Sequence, residues 1–192
     1  MIKSLALAAA LAAAVPTAAV ALSVYDEADF GGGFNVPSHS LNTVSLEQGD
    51  NLIKGSLQLC GSVVGCASNS ADAFGFAVAE SHQVESVVLS VGHDLPQKAD
   101  LWFVLRSLDP FVNVVNMPLT GLETGHSTGN MLEAALDPGR YTVIVQDISG
   151  GDVSGTVNWE VELRASPLPS SILLFAGALG VLAYLRRRSH SA

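Results

Sequence analysis

The stretch Thr156-Val157-Asn158-Trp159-Glu160-Val161-Glu162-Leu163-Arg164 alternates apolar and polar residues without a break. Successive side chains of a β-strand point to opposite faces. The period of two therefore predicts a strand with one buried face (Val157, Trp159, Val161, Leu163) and one wet face (Asn158, Glu160, Glu162). Upstream, Asp137-Pro138-Gly139 is a turn signal leading into a second strand, Tyr141 to Val145. Asp147 to Gly155 reads as the glycine-rich hairpin loop between the two. Further back, Leu101–Leu105, Val84–Val91, Phe74–Val78 and Asn51–Leu59 read as strands, and Phe111–Met117 as a seventh. Met131–Leu136 fits either a helical turn or a short strand. No segment of the body carries a long helical period. Short strands with regular turn signals predict one all-β domain over residues 22–165, an antiparallel, jelly-roll-like β-sandwich.

The two ends read differently from the body. Met1 to Ala21 has the layout of a secretory signal peptide, with Lys3 before an alanine-rich apolar core. Ala19-Val20-Ala21 supplies a small-x-small cleavage site, which makes Leu22 the expected mature start; Ala21-Leu22-Ser23 is a second choice. At the other end, Leu168 to Leu185 is 18 residues without a charge. That is near the lower limit for a helix crossing about 30 Å of hydrocarbon. Arg186-Arg187-Arg188 follows and sets orientation, because basic clusters beside a span stay cytoplasmic. The expected order is a signal peptide (1–21), a β domain outside the cytoplasm (22–165), and a C-terminal segment with one transmembrane helix (166–192).

All 18 acidic residues lie between Asp26 and Glu162, against five basic ones in the whole body, residues 22–165 (Lys54, Lys98, Arg106, Arg140, Arg164). A body this acidic argues against nucleic acid and anionic lipid as electrostatic partners. Cys60 and Cys66 are the two cysteines. Outside the cytoplasm they read as a disulfide, with Gly61 and Gly65 easing the short turn between them.

The tail's Pro167-Leu168-Pro169, its glycine-bearing apolar run (Gly177, Gly180) and its arginine cluster together resemble a PEP-CTERM sorting signal of the VPLPA type. Ser166 stands where that variant has Val, and Ser170 where it has Ala. The resemblance implies delivery by the Sec translocon and signal peptidase, then processing by an exosortase-type membrane protease in a Gram-negative cell. The alternative is an ordinary tail anchor left uncut. A second resemblance covers Asp50 to about Leu163. Asn51–Leu57, Ser70–Phe76 and Leu136–Val145 are similar to strands of bacterial pre-peptidase C-terminal-type domains. That likeness implies a sandwich fold and no active site.

Four other features invite chemistry. Gly125-His126-Ser127-Thr128-Gly129 matches the G-x-S-x-G elbow, which means something only at a strand-turn-helix of an α/β sheet. A polar loop is the simpler reading. His39, His82, His93 and His126 lack zinc spacing and read as surface residues. Asp94, Asp100, Asp137, Asp147 and Asp152 fall in loops, where carboxylates and carbonyls can hold calcium or merely face water. Trp102 and Trp159 can stack on sugars, but each lies in an apolar strand and reads as core; Tyr25 and Phe30 are freer. Gly31-Gly32-Gly33 reads as a flexible turn.

These readings point to an exported, non-enzymatic cell-surface or extracellular-matrix protein with a structural or adhesive role and no required cofactor. A carbohydrate- or calcium-binding module on extracellular polysaccharide is the alternative, and exposed aromatics on one sheet face would mark it. A hydrolase using Ser127 is the third.

Overall fold

The computed structural model describes residues 21–30, 43–60, 70–95, 97–149 and 153–168. The strands are β1 (Ala21–Asp26), β2 (Thr43–Ser45), β3 (Gly49–Cys60), β4 (Ala71–Val78), β5 (His82–His93), β6 (Ala99–Leu108), β7 (Phe111–Leu122), β8 (His126–Ser127), β9 (Gly139–Asp147) and β10 (Ser154–Pro167). One 3-10 turn, Glu27–Phe30, follows β1.

The strands form two five-stranded sheets, ordered β1-β3-β10-β5-β8 and β2-β4-β9-β6-β7. Four antiparallel pairs are nested in the sequence: β3 with β10, β4 with β9, β5 with β8, β6 with β7. This is a long hairpin rolled into two layers, the wrapping of a jelly roll. The fold departs from the purely antiparallel sandwich of the sequence reading. β1 runs parallel to β3, and β2 parallel to β4, so both sheets are mixed. These two short strands sit at the outer edges, where a chain arriving from the N-terminal side finds an open ladder.

The alternation that predicts β10 holds in three dimensions. Val157, Trp159, Val161 and Leu163 are fully buried between the sheets. Trp159 stacks on Phe74 of the opposite sheet with centroids 5.8 Å apart. Its Nε1 donates to the buried Asp72 carboxylate at 2.7 Å. Gly55 pairs with Trp159 across the β3–β10 ladder, and a Cβ there would collide with the indole ring. Apolar burial of this kind is the main favourable term in folding.

Strand limits move outward from the sequence reading. β7 runs on to Leu122, five residues past Met117. Met131–Leu136 forms neither helix nor strand; only Leu136 makes an isolated bridge, to Val84. β10 continues to Pro167, beyond the domain end placed at 165, because its last residues pair with Gln83 and His82 of β5.

Registers place several segment ends together. Ala21 pairs with Gly49, Gly49 with Ala165, and Pro167 with His82. The first described residue and the last rungs of β10 therefore lie at the same end of the sandwich.

Candidate functional site

In β6, Leu101, Phe103 and Leu105 point inward and are fully buried, while Trp102, Val104 and Arg106 point out. The sequence places Trp102 in the core because Leu101-Trp102-Phe103-Val104-Leu105 is apolar throughout. The structure corrects this. A pleated strand can bury only alternate residues here, and the indole is 42% exposed. Only the pairing partners decide which parity faces in.

Around Trp102 the outer face is organised. Its Nε1 donates to Asn116 Oδ1 at 2.7 Å, which fixes the ring against β7. Gln146 of β9 and Pro118 of β7 lie opposite it in register. Four residues along β6, past Val104, Arg106 donates from Nε to Asn113 Oδ1 at 2.8 Å. The guanidinium also lies over the Phe111 ring, 4.6 Å from its centroid. Phe111 is 70% exposed, and Val112 and Val114 are also exposed. The β6–β7 ladder shifts register between Leu105 and Arg106, so this apolar end of the edge strand follows an irregularity. On the outer face, Trp102, Val104 and Phe111 are thus edged by amide and guanidinium groups, while Val112 pairs in register with buried Ser107 and points the other way. Clustered apolar exposure of this sort makes a candidate interaction surface. Its chemistry suits a ligand with apolar C–H faces and many hydroxyls, since rings stack while amides exchange hydrogen bonds.

A cleft of about 480 Å³ lies on the other sheet, lined by Asp26, Glu27, Lys54, Ser56, Asn158 and Glu160. Its charges are engaged locally. Glu27 Oε2 accepts from the Ser56 backbone N–H at 2.9 Å, Asp26 Oδ1 from that of Ala28 at 2.9 Å, and Lys54 pairs with Glu160 at 2.9 Å.

The loop carboxylates do not converge. Asp94 accepts from Thr156 N, Asp100 from Gly121 N, and Asp147 from the Ser149 hydroxyl, each at 2.6 Å. Asp94 and Asp100 tie backbone distant in sequence, and Asp147 closes a local turn. Asp137 is exposed, and Asp152 lies outside the described residues. Among the described residues, no three His, Cys, Asp or Glu side chains come together as a metal site.

Ser127 lies on the edge strand β8, not on a strand-turn-helix elbow. Its hydroxyl receives a bond from Ser90 Oγ at 3.1 Å. His126 is exposed beside it and pairs in register with Val91. His82 is half-buried and bonded through Nδ1 to Ser81 Oγ at 2.9 Å. His93 departs from the surface reading: it is half-buried, with Nε2 against the Leu122 carbonyl at 3.1 Å and Nδ1 enclosed. His39 lies outside the described residues. Tyr25 and Phe30 are not free; both pack on the core, and the Tyr25 hydroxyl donates to the Ser45 carbonyl at 2.6 Å. Burial, then the nearby Glu47 carboxylate, raises the Tyr25 pKa.

Among the residues expected to form a sorting signal, Pro167 is the last residue of β10, and Leu168 N donates to the Ser81 carbonyl at 2.9 Å. Ala21 opens β1. Cys60 is disulfide-bonded. Cys66, Ala19, Pro169, the apolar run after it and Arg186–Arg188 lie outside the described residues. Among the described residues no helix is long and apolar enough to cross a membrane.

Sequence reasoning passes over Asn51, which is fully buried. Its side chain accepts from Glu47 N and donates to the carbonyls of Glu47, Gly49 and Leu163, tying the turn before β3 to β10. An asparagine two residues after Gln48-Gly49 is the only hint the sequence offers.

No family model matches the sequence, and no curated protein does. A solved structure of tomato aspermy virus aligns over 74% of this chain and 93% of its own, with 12% identity and a TM-score of 0.31. A likeness that slight bears on neither fold nor function.

Proposed function

We propose that the chain is an exported, non-enzymatic adhesive protein that contacts extracellular polysaccharide through the outer face of β6 and β7. The observation that carries this is the exposed Trp102, pinned by Asn116 and flanked by the Arg106–Phe111 pair. Two features of the sequence support export: the signal-peptide layout of residues 1–21 and the tail's proline motif, uncharged run and arginine cluster. On this reading the tail is processed at Pro167-Leu168-Pro169 by an exosortase-type membrane protease after transit through the Sec translocon. The calcium reading is less favoured, because Asp94, Asp100 and Asp147 each accept a separate hydrogen bond from within the fold.

The test is retention of the protein on immobilised polysaccharide from its own host cells. Trp102→Ala and Phe111→Ala each weaken retention by about tenfold, the loss of roughly one stacking contact. Neither alters the melting temperature much, since both side chains are largely outside the core. Unchanged retention in the double variant, with the fold intact, would discard the proposal.

A further inference from the structure

The start of the processing motif lies inside the sheet. Ser166 and Pro167 pair with Gln83 and His82, and Leu168 adds one more backbone bond to Ser81. These rungs differ from the rest of β10. From Val157 as far as Ala165 the strand has β3 on one side and β5 on the other, but the β3 ladder stops at Gly49, opposite Ala165. A register shift between Arg164 and Ala165 marks the same point. Among the described residues, the last rungs therefore hang on β5 alone.

Side chains fasten them. Ser166 Oγ donates to Glu85 Oε1 at 2.6 Å. Gln83 Nε2 donates to the same carboxylate oxygen at 3.2 Å and reaches Ser166 Oγ at 3.5 Å. Three side chains on two strands thus close over the step just before the motif.

A protease that takes an extended segment needs that segment's backbone hydrogen-bonding groups and room on its flanks. Here one flank of Ser166–Leu168 belongs to β5. Pro167 has no N–H to offer on either flank. We infer that the sandwich itself withholds the front of the motif: the tail is cut only after the Ser166–Leu168 rungs open from Ser81–Gln83. The inference rests on the proposed processing of the tail and assigns its control to this strand end. Opening can be local, because end rungs with one neighbour separate at far lower cost than the whole domain.

The experiment follows tail removal in the full-length chain by pulse-labelling in the host cells. Gln83→Cys with Ser166→Cys crosslinks one rung, and Glu85→Ala with Gln83→Ala removes the fastening. Tail removal in the crosslinked pair falls about tenfold, and reductant restores it relative to wild type given the same reductant. The unfastened variant is cut several-fold faster than wild type. In the purified uncut protein, hydrogen exchange shows the Leu168 amide protected, and less so in the unfastened variant. Equal cutting rates in all three chains, or a Leu168 amide exchanging as in an unfolded peptide, overturn the inference while leaving processing intact. A wild-type tail that is never removed overturns the processing itself, and this inference with it.

Discussion

At the scale of single residues, Gly55 and Trp159 form one unit. The indole occupies the space where any larger residue 55 would place its Cβ. Gly55→Ala is expected to destabilise the fold by about 1–3 kcal/mol through overpacking. The cost shrinks when Trp159 is also changed to Leu, and urea denaturation of the four chains of the cycle measures that coupling. Trp159→Phe keeps a ring but takes the Nε1 donor from buried Asp72, at a cost of about 1–3 kcal/mol. Glu85 gives a pH-dependent prediction. Its pKa is lowered chiefly by the Ser166 hydroxyl, then by the Gln83 amide, with the Arg164 charge adding to these. A lowered folded-state pKa means the carboxylate stabilises this strand end above the ordinary Glu range. That contribution disappears as pH falls through the lowered value. Protection of the Leu168 amide, corrected for intrinsic exchange, should drop on acidification in wild type and stay flat in Glu85→Gln.

At the scale of elements, the turn carboxylates carry a second pair of expectations. Asp94→Ala removes the acceptor for Thr156 N at the start of β10, so the melting temperature should fall by a few degrees. Added calcium should leave the wild-type melting temperature unchanged, because Asp94, Asp100 and Asp147 are each engaged at a separate place in the fold. A clear upward shift with calcium would refute this. The elements were legible where composition itself alternates. β10 could be read from Val157-Asn158-Trp159-Glu160, and β9 from its Pro-Gly turn. β6 was legible as a strand, but its orientation was not, because Leu101 to Leu105 holds no polar residue to mark the wet side. Hence Trp102, the centre of the candidate site, was assigned to the wrong face. β1 and β2 escaped notice for a different reason. Each is short and lies parallel at a sheet edge, so its partner, not its own sequence, makes it a strand. The end of β10 was hidden by its proline. Pro is tolerated where a strand has lost one neighbour, and only the structure shows that β3 stops at Gly49.

At the scale of the whole molecule, the wrapped hairpin sets β10 between β3 and β5 for most of its length. The chain leaves from the same end at which β1 begins. This arrangement has a mechanical meaning. If the tail is held and drag acts on the body, tension runs along β10 and must slide it past both neighbours at once, breaking many bonds together. Tension between residues 21 and 168 acts across the sheet and peels it bond by bond. Single-molecule stretching should therefore record a high rupture force with the body gripped at the Trp102 face and a low one with the two chain ends pulled apart.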